Sequence, residues 1–163
     1  MGQILRAQGD HGFSAALKIL RVGGRLIWPH TRRVERLAWI ASASLGFLAV
    51  LLGAFGAHGL RPIFARAEDA AKRMEWWQTA SHYHLAHALA LGLVAVLLTR
   101  NSDRALHVSV FAFVAGVLLF SGSLYTMAVT GMRALAALTP IGGVCFLVGW
   151  ASLLVAAVRL ARS

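Results

Sequence analysis

The chain has 163 residues, of which 58% are hydrophobic, and a formal net charge of +10. This composition is too apolar for a soluble domain of such a length and indicates a membrane protein. The basic excess would suit a nucleic-acid-binding protein if the chain were soluble, but its Lys and Arg residues flank apolar runs, so we exclude nucleic acid and expect the lipid bilayer as the partner.

The first 36 residues form a basic N-terminal extension. Lys18, Arg21 and Arg25 lie among its apolar residues. This basic amphipathic pattern allows two interpretations, a helix lying on the inner leaflet or a disordered terminus. A cleavable signal peptide is less favoured, because the apolar run that follows exceeds the usual length of about 7 to 15 residues.

Four long runs without Asp, Glu, Lys or Arg follow the extension. Each supplies the roughly 20 residues that a helix needs to cross the hydrocarbon core. Because the runs are continuously apolar, they predict helices and not the strands of a membrane barrel. The connectors are short, so we expect an all-α, antiparallel four-helix transmembrane bundle. The predicted spans are 37–60, 76–99, 105–129 and 134–158, and the tail is 159–163.

The distribution of Lys and Arg predicts the orientation of this bundle. Seven precede the first span, two lie in the second connector and two in the tail, against four in the first connector and one in the third. Cytoplasmic loops are enriched in these residues. Both termini are therefore expected in the cytoplasm.

The helix ends carry two further local signals. Glu68 and Asp69 precede Lys72 and Arg73 by four residues, which predicts ion pairs on a short surface helix. Aromatic rings at the predicted helix ends are expected to lie in the headgroup zone as interfacial anchors. These rings belong to Trp39, Trp76, Trp77 and Tyr125.

Small residues recur at helical spacing on the first and fourth spans. In lipid, helices associate where small side chains allow close approach. The first stripe contains Ser42, Gly46, Ala49, Gly53 and Gly56, and the second contains Gly142, Cys145, Gly149, Ser152 and Ala156. Ser42, Gly46, Gly53, Gly142 and Gly149 are therefore predicted helix-packing residues.

Polar side chains from all four spans converge at one depth in the predicted topology, in the outer half of the bundle. Ionisable groups inside a membrane are costly and mark candidate functional sites. Thr139 also precedes Pro140, where we expect it to cap the fourth helix. The predicted polar site consists of His58, Gln78, Tyr83, His84, His87, Ser121, Ser123, Tyr125 and Thr139.

The histidines of this set allow two interpretations. His84 and His87 lie three residues apart and could present two nitrogens to a metal or haem iron, with His58 as a third ligand. Alternatively, they are neutral residues that form hydrogen bonds between helices. A bare pair without a carboxylate is common, so we favour hydrogen bonding and expect no cofactor.

Several segments together resemble the YgdD/YwdK family of small membrane proteins, known as domain of unknown function 423. The resemblance covers roughly 37–158 in order, and His58, Tyr83 and His87 match the family motif. It implies a four-helix protein of the bacterial inner membrane without an established activity. The matching segments are LGAFGAH from Leu52, WQT from Trp77, YH from Tyr83 with His87, LFSGSLY from Leu119, TPIGG from Thr139 and GW from Gly149.

The sequence thus predicts a non-enzymatic accessory or structural membrane protein, with a homo-oligomer or another membrane protein as its partner. The alternatives are a metal or haem binder and an oligomeric transporter of a small neutral solute. Enzymatic activity is not expected, because no nucleophile is paired with an oriented base.

Overall fold

The computed structural model describes the backbone of residues 20–22, 25–27, 29–65 and 67–162, with side chains described from residue 32 onward in these ranges. The chain divides into two compact units, Met1–Arg33 and Val34–Ser163. The first unit contains an antiparallel pair of strands, β1 (Leu20–Val22) and β2 (Arg25–Ile27).

The strands correct part of the N-terminal prediction. The helical interpretation placed Leu20, Arg21 and Arg25 on an amphipathic helix, but Leu20 pairs with Ile27 and Arg21 with Leu26 in the two strands. The physical reason is the Gly-Gly pair between the two strands in sequence, since glycine is a poor helix former and suits a hairpin connection. The rest of the predicted amphipathic segment before Leu20 lies outside the described residues.

The described residues contain four helices long and apolar enough to cross a membrane: Arg32–His58, Ala70–Arg100, Arg104–Thr130 and Arg133–Ala161. The predicted all-α four-helix membrane fold is confirmed. Each helix begins before its predicted span, at a charged residue or in a charged segment, and the last three also end after it, whereas the first ends at His58, two residues before the predicted end. The individual elements are α1 (Pro29–His58), α2 (Leu60–Phe64), α3 (Ala70–Arg100), α4 (Arg104–Gly116), α5 (Gly122–Thr130) and α6 (Leu138–Ala161).

The third span is interrupted by a π-helical turn, Val117–Ser121, between α4 and α5. A five-residue 3₁₀ turn, Arg133–Ala137, leads into α6. π turns are rare and recur at functional sites. Gly142 of α6 lies against this turn so closely that an added Cβ would collide with the backbone of Phe120.

The third and fourth spans interlock through reciprocal contacts between phenylalanine and glycine. The ring of Phe113 lies on Gly149, and the ring of Phe146 lies on Gly116. Next to them, the buried Ser109 hydroxyl is 3.0 Å from the Gly149 carbonyl oxygen, to which it donates a hydrogen bond. The two glycines therefore admit large rings where the helix backbones approach each other.

α1 is attached to α3 through a few contacts between small residues. Ser42 donates a 2.9 Å hydrogen bond to the Ala88 carbonyl oxygen, and a Cβ on Gly53 would lie 3.1 Å from the Ser81 hydroxyl oxygen. Gly46 departs from the predicted stripe, because a Cβ there would meet no atom within 4 Å. Helical spacing therefore predicted a packing role for Gly46 that no contact among the described residues supports.

Two carboxylates tie the connectors to the bundle. Asp69 pairs with Arg73 at 2.6 Å, as predicted, whereas Lys72 pairs with Glu75 and not with Glu68. The hydrogen bond from Arg73 lowers the pKa of the Asp69 carboxyl group. The expected surface helix is the first turn of α3 itself, which begins at Ala70.

At the opposite end of the bundle, Asp103 caps α4. Its carboxylate accepts a 2.8 Å hydrogen bond from the Ala105 N–H and forms a 3.0 Å ion pair with Arg159. The Ala105 N–H and, to a smaller extent, Arg159 lower the pKa of Asp103. The second connector is thereby linked to the end of α6.

Candidate functional site

A cleft of about 350 Å³ opens between α1 and α3, where α1 ends and α3 begins. On α1 it is lined by Gly53, Gly56 and Ala57, which carry no side chain larger than a methyl group. The buried ring of Trp77 lies against Gly56, and its indole N–H donates a 2.9 Å hydrogen bond to the Leu52 carbonyl oxygen. Trp77 is therefore a fixed wall of the cleft and not the interfacial anchor that the sequence suggested.

The lining of this α1–α3 cleft combines polar and apolar side chains. Its polar side chains are Arg61, Gln78, Ser81 and His82, and its larger apolar side chains are Met74, Trp77 and Leu85. Arg61, Gln78 and His82 are exposed. The cleft therefore offers hydrogen-bond donors beside an apolar wall.

A buried polar group lies behind the cleft wall. The Tyr125 ring contacts Trp77 at a centroid distance of 4.6 Å and faces His84 edge-on at 6.1 Å. Ser81 interacts electrostatically with the Tyr125 hydroxyl, but the pair lacks hydrogen-bond geometry. His84 is 4% exposed, and neither of its ring nitrogens has a hydrogen-bond partner among the described residues.

Ser121 adds a fourth polar residue to this part of the bundle. It is fully buried, its hydroxyl has no hydrogen-bond partner in the described part of the chain, and it lies one helical turn before Tyr125. Buried polar atoms without partners are costly in an apolar environment. His84, Ser121 and Tyr125 therefore form the set of buried polar side chains near the cleft that have unpaired atoms in the described part of the chain.

His87 has a different environment from His84. Its Nδ1 lies 2.8 Å from the Tyr83 carbonyl oxygen, and its Nε2 lies 3.2 Å from the indole nitrogen of Trp150. Because an indole N–H can only donate, Nε2 accepts, and the ring proton must be on Nδ1. The ring also stacks on Phe146 at 3.5 Å between centroids. Both nitrogens of His87 are therefore occupied.

Ser123 and Thr139 connect α5 to the start of α6. The Ser123 hydroxyl donates to the Phe120 carbonyl oxygen at 2.9 Å, so the 2.8 Å contact with Thr139 is donated by the threonine. Thr139 lies inside α6, which begins at Leu138 after Ala137. The expectation that Thr139 caps this helix is wrong, because the helix starts earlier, after the 3₁₀ turn.

The predicted polar residues thus separate into several groups. Tyr83 is half-exposed, and its ring contacts Phe120 at 4.6 Å. Gln78 lines the cleft, and His58 is exposed at the end of α1. His84 faces Tyr125, whereas His87 contacts the fourth span. In the described ranges, no three His, Cys, Asp or Glu side chains form a group that could hold a metal ion, so the structure does not unite the candidate ligands.

The same region carries the similarity to known proteins. A family profile described as "Protein of unknown function (DUF423)" matches residues 52–143, more than half of the chain. The chain belongs to the DUF423 family. Thus the predicted family membership is confirmed, and the matched DUF423 region contains the cleft and the buried polar residues from His84 to Thr139.

Two bacterial relatives extend the DUF423 match towards the chain ends. The UPF0382 inner membrane protein YgdD of Escherichia coli (strain K12) is 42% identical over 128 residues, which cover 78% of this chain and 94% of the relative. The UPF0382 membrane protein YwdK of Bacillus subtilis (strain 168) is 43% identical over 121 residues, with 74% and 94% covered. No solved structure matches the chain. The chain is an integral membrane protein of unknown biochemical activity.

Sequence reasoning missed four residues that shape the site of this DUF423 protein. Arg61 was counted only as a connector charge, and Ser81 was not among the predicted site residues. Trp77 was assigned to the interface, although its buried N–H pairs with Leu52. Trp150 was noted only as part of a segment that resembles the family, without a role in the site. Trp150 lies four residues after Phe146 and therefore on the same helical face. This spacing could have identified Trp150 as a residue that contacts the second or third span.

Proposed function

We propose that this protein is a non-enzymatic, multi-pass protein of the bacterial inner membrane that binds an amphipathic ligand in the α1–α3 cleft. The observation that carries the proposal is that the cleft lining combines donor side chains, including Arg61 and Gln78, with apolar side chains such as Trp77. A ligand with a polar head and an apolar body can contact both kinds of side chain.

A binding function is favoured over catalysis by the hydrogen bonds of the described polar residues. Ser109 and Ser123 donate their hydroxyl protons to backbone carbonyl oxygens, and both nitrogens of His87 are occupied. Within the described spans, no serine is oriented by a histidine and a carboxylate, the usual arrangement for nucleophilic catalysis. The side chains of Ser109, Ser123 and His87 therefore form structural hydrogen bonds within the bundle.

The proposed orientation has both termini in the cytoplasm. Its support is the Lys and Arg distribution, with 11 on the side of the termini and 5 on the opposite side. In this orientation the cleft opens near the outer surface of the inner membrane. The homo-oligomer or membrane-protein partner stays a prediction, and exposed residues of α1 such as Phe47 and Val50 would supply its contact surface.

A cleft-filling substitution tests the proposed binding. Ala57 is exposed and lines the cleft, whereas Ala54 is exposed on the same helix outside the lining. We expect Ala57→Trp to reduce the amount of co-purified amphipathic ligand several-fold, measured by native mass spectrometry of protein extracted in mild detergent. Ala54→Trp is the matched control and should retain the ligand. Equal ligand content in the two folded variants, or no ligand on the wild type, would contradict the proposal.

A further inference from the structure

The polar side chains of the α1–α3 cleft share one chemical property. The guanidinium of Arg61, the amide of Gln78, the hydroxyl of Ser81 and the imidazole of His82 can all donate hydrogen bonds. The lining contains no Asp or Glu. A ligand head that accepts hydrogen bonds and carries negative charge is therefore favoured over a cationic one.

Arg61 supplies the positive charge of the cleft. The four ion pairs between described side chains engage Lys72, Arg73, Arg133 and Arg159. Arg61 takes part in none of these four and is exposed at the mouth of the cleft. A guanidinium binds phosphate oxygens through two parallel hydrogen bonds, so an Arg without a carboxylate beside it suits a phosphate.

The dimensions and location of the cleft indicate how such a ligand reaches it. A volume of about 350 Å³ is at the small end of ligand sites and accommodates a headgroup but not two acyl chains. The cleft lies near the end of α1 (Pro29–His58), between two membrane-spanning helices, and its lining includes the apolar residues Met74 and Leu85. Acyl chains would remain in the bilayer while the head enters.

We infer that the ligand head is a phosphate ester and that the ligand is an anionic membrane phospholipid. This inference rests on the proposed binding function and assigns its ligand class. Arg61 binds the phosphate, Gln78 and His82 donate to the remaining oxygens, and the ring of Trp77 contacts the glycerol region. Basic pockets between transmembrane helices bind lipid headgroups by the same chemistry.

The test compares four added molecules on delipidated protein in a neutral detergent. They are phosphatidylglycerol, zwitterionic phosphatidylcholine, uncharged diacylglycerol and soluble glycerol phosphate, each titrated by native mass spectrometry. We expect phosphatidylglycerol to bind most tightly and Arg61→Gln to weaken it about tenfold. Arg104→Gln removes the same charge from an exposed position at the start of α4 (Arg104–Gly116) and should leave binding unchanged.

A second substitution keeps the inference testable if Arg61→Gln fails to fold. His82→Glu places a carboxylate in the exposed part of the cleft lining, and we expect it to abolish the preference for phosphatidylglycerol over phosphatidylcholine. Loss of that preference in His82→Glu, with diacylglycerol binding retained, supports the inference.

The remaining outcomes separate the two proposals. Equal binding of phosphatidylglycerol and diacylglycerol, sensitive to Ala57→Trp but not to Arg61→Gln, overturns the phosphate inference and leaves the amphipathic-ligand proposal intact. Glycerol phosphate binding as tightly as phosphatidylglycerol overturns the lipid assignment in favour of a free phosphate ester. If no added lipid binds to the wild type, both proposals are wrong.

Discussion

His87 is a neutral hydrogen-bonding residue between the second and fourth spans. Trp150 donates to Nε2, and Nδ1 donates to the Tyr83 carbonyl oxygen, so the bonds fix a single tautomer. Stacking on Phe146 excludes water from the ring. In a bilayer an imidazole without partners would be costly. The aromatic and hydrogen-bonding contacts together explain how a histidine is accommodated at this depth.

Removal of the Trp150 donor should therefore destabilise the bundle. We expect Trp150→Phe to lower the free energy of unfolding by about 1 kcal/mol, because Nε2 loses its partner while the ring volume is mostly retained. Denaturation by sodium dodecyl sulfate, followed by circular dichroism, measures this difference. Trp39→Phe, at an exposed position, is the control. Equal effects of the two substitutions would contradict the hydrogen-bond assignment.

At the residue scale, the sequence identified polar residues within the spans but not the residues that they contact. His84, Ser121, Ser123 and Tyr125 were identifiable because polar groups are rare inside apolar runs. Their partners depend on how each helix is rotated about its axis, which spacing along a single helix does not determine. For that reason Trp150 was not predicted as the partner of His87.

The π turn Val117–Ser121 is the element that most distinguishes the third span from a regular helix. Its hydrogen bonds reach one residue further than those of an α-helix, which widens the turn. Gly142 contacts the backbone of this turn at Phe120. Backbone atoms cannot move aside as a flexible side chain can, so this glycine is required for the helices to approach.

Two adjacent glycines of α6 provide a matched test of this contact. Gly142→Ala should lower the free energy of unfolding by about 1 to 3 kcal/mol, because its Cβ would collide with the Phe120 backbone. Gly143→Ala should be neutral or slightly stabilising, since its Cβ would lie 3.9 Å from the Phe120 ring. The same detergent denaturation assay compares them. A Gly142 variant as stable as the Gly143 variant would show that the helices are not in close contact there.

The π turn also marks a limit of prediction for single elements. The apolar run of the third span predicted a helix and its approximate ends, because hydrophobic length alone determines them. Nothing in the Val117–Ser121 sequence distinguishes a π turn from an α turn. Likewise, the apolar and basic pattern of residues 20–27 suits a surface helix, whereas Leu20–Val22 and Arg25–Ile27 form paired strands.

In the molecule as a whole, α1 stands apart from the other spans. Of its most apolar window, 11% is buried within the structure, compared with 28% to 44% in the other three. The third and fourth spans share interlocked phenylalanine and glycine contacts, whereas α1 contacts α3 through small residues and the Trp77 indole. The architecture is therefore a close-packed three-span core with one peripheral helix.

The orientation of this whole assembly is testable with terminal reporters. Because 11 of the 16 Lys and Arg residues lie on the side of the termini, we expect both ends in the cytoplasm. C-terminal fusions to green fluorescent protein and alkaline phosphatase should give fluorescence and no phosphatase activity, and a fusion after Arg61 should give the reverse. Phosphatase activity at the C-terminus would reverse the proposed orientation and place the cleft on the cytoplasmic side.

The peripheral attachment of α1 has a consequence for the order of assembly. α1 is synthesised first, but its hydrogen-bond partners on α3 follow 25 residues later for Leu52 and Trp77 and 46 residues later for Ser42 and Ala88. We therefore expect α1 to enter the bilayer before its contacts with α3 can form. It then packs beside the core that the three later spans form with one another.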